Sequence, residues 1–227
     1  MKKNLVFFLF ILAFAVPSLR AQENINQFDS EGRRHGIWKQ YYPNTKKPQL
    51  RYEGKFHHGK EIGEFRFYCE DCGNTPNVIK SFNPKNDIAE VKFFDNGKLI
   101  SEGKMDGKIH IGKWIYYHKN ASSIMTEENY ERDKLHGLKR TFYPDGKIAE
   151  EQYYKNGIQE GEEKYYSSEG VLLRKLFYKN GKLHGPAVYY DTKGKKLIEG
   201  QYKQGMKDGK WRYYENGEVR EEQFPKH

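Results

Sequence analysis

Gly185-Pro-Ala-Val-Tyr-Tyr190 and Gly209-Lys-Trp-Arg-Tyr-Tyr214 stand 24 residues apart, and each is a glycine followed by a short strand-like run ending in paired aromatics. Gly112-Lys-Trp-Ile-Tyr-Tyr117 and Gly161-Glu-Glu-Lys-Tyr-Tyr166 are further copies. The opening glycines Gly36, Gly63, Gly112, Gly137, Gly161, Gly185 and Gly209 are separated by 27, 49, 25, 24, 24 and 24 residues. The interval of 49 holds two periods, with a degenerate copy near Ile88 that runs into Val91-Lys-Phe-Phe-Asp-Asn-Gly97, so the chain carries eight units. A period of this size marks a supersecondary unit stacked on its own copies.

Within a unit the aromatics at +2 and +4 from the glycine (Phe65 and Phe67, Trp114 and Tyr116, Trp211 and Tyr213) fall on one face of a strand. The ring at +5 (Tyr68, Tyr117, Tyr166, Tyr190, Tyr214) falls on the other. Units opening at Gly36 and Gly137 have one extra residue before Tyr41-Tyr42 and Phe142-Tyr143, which predicts a β-bulge in those two units. Asp95-Asn96-Gly97, Pro144-Asp145-Gly146 and Glu215-Asn216-Gly217 read as tight turns. Gly32-Arg-Arg-His-Gly36, Gly181-Lys-Leu-His-Gly185 and Gly205-Met-Lys-Asp-Gly209 read as a second kind of turn, Gly-x-x-x-Gly. Connections this short leave no room for helical crossovers. The expected fold is all-β: an extended antiparallel meander of about eight β-hairpin repeats, a single-layer twisted sheet of roughly 15 strands and about 70 Å. Stability should run between neighbours. The charged last run, Glu218 to Phe224, suits an exposed edge.

Lys2 and Lys3, the apolar run Leu5 to Val16, Pro17 and the small residue Ala21 form a secretory signal pattern. Expected divisions are therefore a signal peptide over 1–21, a short linker over 22–27 and the repeat domain over 28–224, with units opening near 36, 63, 88, 112, 137, 161, 185 and 209. Cleavage after Ala21 leaves 206 residues and, with Lys2, Lys3 and Arg20 gone, lowers the formal charge from +9 to +6. Only 36% of residues are hydrophobic while 15% are aromatic, a balance that suits a thin ring-lined sheet better than a thick aliphatic core. The charge is too diffuse for a nucleic-acid groove, and the secretory address argues against that partner as well.

The pattern Gly-x-Trp-x-Tyr-Tyr-x-Asn-Gly, then Glu-x-x-Tyr, then Asn-Gly-Lys-x-His-Gly, resembles the MORN-repeat variant of bacterial proteins, often grouped as YwqK-like antitoxin-repeat proteins, over about residues 28 to 224. The resemblance implies a β-hairpin repeat sheet with a binding or scaffolding role. The chain departs from the pattern between Cys69 and Asp87, where one turn is longer and the next opening glycine is missing.

Cys69 and Cys72 are the only cysteines, and their spacing across a turn fits a local disulfide in an oxidising compartment. Free thiols, a redox-active pair, or a zinc site completed by His57 and His58 are the other readings. His35, His136 and His184 each precede an opening glycine, a recurrence that indicates a structural role. Glu53, Glu127, Glu150, Glu199 and Glu221 each precede an aromatic by three, a regular ladder without the unlike environments that paired catalytic carboxylates need. Gly54-Lys-Phe-His-His-Gly59-Lys60 imitates a phosphate loop but is followed by Glu61 and no helix. No catalytic, cofactor or metal motif emerges. Trp38, Phe65, Trp114, Tyr116, Trp211 and Tyr213 are the candidate partner-binding rings, set against packing between neighbours as their other role. The expected function is a non-enzymatic secreted or periplasmic scaffold for an envelope protein partner. Its membrane contact is through the transient signal peptide alone. Alternatives are a cell-wall glycan-binding module using the ring stripe, an antitoxin-like protein, or a hydrolase with a site in residues 69–92.

Overall fold

The computed structural model describes residues 24–43, 45–70, 73–119 and 122–225; the signal peptide expected over 1–21 and Cys72 lie outside the described residues. The strands are β1 (Gln27–Phe28), β2 (Arg34–Tyr41), β3 (Leu50–His57), β4 (Lys60–Phe67), β5 (Val78–Phe82), β6 (Ile88–Asp95) and β7 (Lys98–Asp106). They continue as β8 (Ile109–Tyr117), β9 (Ile124–Glu131), β10 (Lys134–Leu135), β11 (Gly137–Phe142), β12 (Ile148–Lys155) and β13 (Ile158–Tyr166). The last are β14 (Leu172–Lys179), β15 (Lys182–Leu183), β16 (Gly185–Tyr190), β17 (Lys196–Lys203), β18 (Met206–Glu215) and β19 (Glu218–Phe224). All 19 belong to one sheet, and each pairs antiparallel with its chain neighbours. β10 with β11, and β15 with β16, are each one rung interrupted at a histidine, so the 19 segments make seventeen rungs. The all-β meander expected from the glycine–aromatic period is the observed fold, and no helix occurs among the described residues.

Two turns alternate. One is a two-residue hairpin turn with both residues at positive φ, as in Asn96-Gly97, Asn156-Gly157, Asn180-Gly181 and Asn216-Gly217. Its backbone twist matches that of the flanking strands. The other is a five-residue loop, as at 143–147, where Gly146 N donates to Tyr143 O (2.9 Å) and Tyr143 N to Lys147 O (2.8 Å). The loops at 29–33, 167–171 and 191–195 repeat it.

Gly-x-x-x-Gly is therefore not a turn. In Gly181 to Gly185 the first glycine closes the two-residue turn, and the second lies inside the next strand at φ 101°. That second glycine permits a bulge of two extra residues. Glu102 pairs with Ile115 and Lys104 with Ile111, so Gly103 alone faces residues 112–114. The same step recurs at Gly63, Gly161 and Gly209. At the degenerate unit β5 and β6 pair without any shift, so no glycine is required there and Val91 takes the core position. The one-residue bulge expected only near Tyr41 and Phe142 is present there, but also at Tyr117, Tyr166 and Tyr190. It belongs to the repeat, since Phe94, beside the Asn96-Gly97 turn, has it too. The sheet also begins earlier than residue 28: Asn26 N donates to Ile37 O (2.8 Å), within the stretch expected to be linker.

The core is built from rings between rungs. One cluster joins Ala89, Val91, Met105 and Trp114; a second joins Leu176, Ala187 and Trp211.

Candidate functional site

Three of the four aromatic rings at +2 lie over a glycine on the preceding rung. A Cβ on Gly54, Gly103 or Gly200 would stand 2.3 Å from the ring of Phe65, Trp114 or Trp211. These rings are 0%, 1% and 1% exposed. Both tryptophans also donate their indole N–H to the carbonyl after the glycine, Trp114 to Lys104 O and Trp211 to Gln201 O, each at 3.1 Å. Trp38 is half-buried, donates to Gln27 O at 3.0 Å and packs edge-on to Phe28 and Phe56. Tyr116 and Tyr213 are half-buried beside the tryptophans. The rings singled out as a partner-binding stripe are thus packing rings: Phe65, Trp114 and Trp211 have no free face, because the bulge folds them onto the backbone of the neighbour.

The stripe is interrupted midway. The +2 positions after Gly137 and Gly161 are Lys139 and Glu163, and Glu163 is buried at 3% exposure. Gln159 Nε2 donates to its Oε2 at 2.8 Å, and Arg174 Nη2 approaches its Oε1 at 3.4 Å. The same guanidinium nitrogen lies 3.7 Å from Glu150 Oε1. Burial, reinforced by the charge of Glu163, raises the Glu150 carboxyl above its ordinary range. Beside them Tyr130 donates to Glu128 Oε2 (2.6 Å) and Lys139 Nζ pairs with Glu128 Oε1 (3.3 Å). The two central carboxylates share one guanidinium. Lys139 and Glu163 were legible as breaks in the +2 column and were missed, because the column was read for its rings.

The opposite face carries charge. A tyrosine at +5 donates to the glutamate fifteen residues earlier in four units: Tyr68 to Glu53 (2.8 Å), Tyr117 to Glu102 (2.5 Å), Tyr166 to Glu151 (3.3 Å) and Tyr214 to Glu199 (2.5 Å). Burial first, then the bond to the glutamate, pushes Tyr68 and Tyr117 up to about 12. Lys196 and Tyr214, with Arg212 and against burial, hold Glu199 down at about 2. Cross-strand cations complete the ladder, among them Arg140 on Glu151 and Arg212 on Glu221, both at 3.0 Å. Behind Gly54 and Gly103 this face is indented by shallow grooves of about 340 and 230 Å³ lined by Glu53, Arg66, Glu102 and Lys104.

Cys69 is disulfide-bonded, which removes its sulfur from any metal-ligand set. Among the described residues, one group of three metal-ligating side chains is drawn together: His35, His57 and His58.

Fold and surface define a class: an open, single-sheet β-hairpin repeat protein. The model of the MORN repeat variant matches residues 34–44, 135–156, 159–180, 183–204 and 207–224, and the chain belongs to that family. The β3–β4 and β7–β8 pairs, between the first two matched segments, repeat the bulge-and-ring geometry of the matched ones. No curated protein matched the chain.

Proposed function

We propose that this repeat protein is a non-enzymatic, secreted or periplasmic scaffold that docks a protein partner in the bacterial cell envelope. A second periodic row carries the reading. The extra residue of each one-residue bulge is Arg51, Ile100, Met125, Ala149, Leu173 or Leu197, in six of the eight units. Ile100, Met125 and Leu197 are 37–39% exposed. From Ile100 onward successive members stand two rungs, about 10 Å, apart. Ala149 is buried, so the row exposes aliphatic side chains at three points, Ile100, Met125 and Leu197; set among charged neighbours, they suit a protein surface laid along the sheet. Stacking on glycans has less support, since Phe65, Trp114 and Trp211 of the ring stripe are buried.

The test is cross-linking capture from an envelope fraction with the native chain and with an Ile100→Asp, Met125→Asp, Leu197→Asp variant. A reproducible partner that the folded variant fails to capture supports docking on this row. Absence of any reproducible partner, or equal capture by both chains, contradicts it.

A further inference from the structure

The structure assigns a divalent transition-metal site to His35, His57 and His58 at the first hairpins of the sheet. His35 on β2 and His57 on β3 are adjacent across the ladder, one step beyond the Gly36–Phe56 pair. His58 opens the two-residue turn at φ 48° and so turns back toward the other two. Ring centroids are 5.4 Å apart for His35–His57, 4.9 Å for His35–His58 and 4.4 Å for His57–His58. One ring nitrogen from each of the three lies within 4.8 Å of the others. Imidazole nitrogens bound tetrahedrally at about 2.0–2.1 Å sit about 3.4 Å apart, so closure asks for a shift of roughly 1–1.5 Å. His57 and His58 are exposed and His35 is half-buried, so χ rotation within a rotamer well can supply it.

A second observation points the same way. Asp29, in the turn before β2, stands with Oδ2 2.6 Å from His58 Nδ1. Its Oδ1 accepts from the backbone N–H groups of Glu31 and Arg33, each at 2.9 Å, which fixes the carboxylate. In the tautomer that gives its Nδ1 proton to this carboxylate, His58 keeps Nε2 as the ligand atom and the ring is oriented, the arrangement that supports metal-bound histidines; Arg33 Nη2 lies 3.1 Å from the same Nδ1. Arg33 Nε, 2.9 Å from the same Oδ2, balances the carboxylate charge, so the ligand set itself is three imidazoles. Three nitrogen ligands and an open fourth position suit zinc, copper or nickel rather than magnesium or calcium. The other histidines that precede an opening glycine, His136 and His184, have no such companions: the following turns are Asn156-Gly157 and Gln204-Gly205 where this one is His58-Gly59. A bound ion would tie three successive elements, the 29–33 turn, β2 and the β3–β4 turn, at the start of the sheet.

Isothermal titration of zinc chloride into the full, tag-free chain at about pH 7.5, after chelator treatment, tests the assignment. The expected result is saturable binding of one ion per chain. It is weakened at least tenfold in each of His35→Ala, His57→Ala and His58→Ala, and unchanged in His110→Ala. Asp29→Asn, which keeps the side-chain acceptor for the turn, should weaken binding about 10- to 100-fold. Circular dichroism checks that each variant is folded, and His57→Gln and His58→Gln, at exposed sites, replace any variant that is not. Absence of one-to-one binding, or binding that survives the histidine substitutions, overturns the site.

Discussion

At the scale of single residues, the ring and the glycine beneath it are one unit of packing. Gly103→Ala puts a methyl 2.3 Å from the Trp114 ring, and the atoms it meets belong to a buried indole that cannot swing away. Overpacking of this kind costs about 1–3 kcal/mol, so the urea midpoint of Gly103→Ala should fall, and that of Gly200→Ala with it. Trp114→Ala should cost about 3–5 kcal/mol by the same measurement. Gly107→Ala is the contrast: its added Cβ meets nothing within 4 Å, so its penalty comes from the positive φ of 60° alone, about 1–2 kcal/mol. Equal losses at Gly103 and Gly107 would show that contact with the ring does not matter. The +2 rings were legible in the sequence, but their burial was not. Alternation says which face a residue takes, while the two-residue bulge that folds the ring onto its neighbour depends on pairing with a strand the periodicity does not locate.

At the scale of elements, the tyrosine–glutamate ladder ties each hairpin to the one before it and gives the sheet a pH signature. The phenols of Tyr68 and Tyr117 are pushed up to about 12 in the folded chain, against about 10 when unfolded. The fold favours the neutral phenol, so this contribution is complete below about pH 10 and is lost as pH rises through 12. Absorbance titration of phenolate should show a late-ionising group of tyrosines, and Tyr117→Phe should remove one of them while costing about 0.5–1.5 kcal/mol. At the acid end the sign reverses. Glu199, held at about 2, contributes stability above the unfolded carboxylate range that is lost as pH falls through its folded value. Glu199→Gln should therefore flatten the acid side of the stability profile. A profile identical to the native one would contradict the role given to Lys196, Tyr214 and Arg212. The Glu-x-x-aromatic repeat announced a structural ladder of glutamates, and Glu53 and Glu199 are in it. Glu102 falls outside that spacing, with Met105 where the ring would stand, and Glu151 was passed over for Glu150 beside it; the ladder partner of each lies fifteen residues on, across the strand register. The three-histidine group was hidden for the same reason: His35 is more than twenty residues from His57 and His58, and strand register brings them together.

At the scale of the molecule, seventeen rungs in chain order make a structure in which each piece rests on its neighbours. Stability should then vary along the chain, lowest at the two open edges and highest near the ring clusters. Native-state hydrogen exchange should show β1 and β19 opening first and the rungs around Val91, Trp114 and Trp211 last; uniform protection would mean a single cooperative unit. The glycine–aromatic period makes the interior of this sheet, and the surface left to a partner is the bulge row and the charged ladder. Acrylamide quenching of chains that keep one tryptophan each, the other two replaced by phenylalanine, tests that division most directly. Trp114 and Trp211 should emit at short wavelength and resist the quencher, with Trp38 the most accessible of the three. Trp114 and Trp211 quenched as freely as in the urea-unfolded chain would show that the rings are open to solvent and that the period does not build the core.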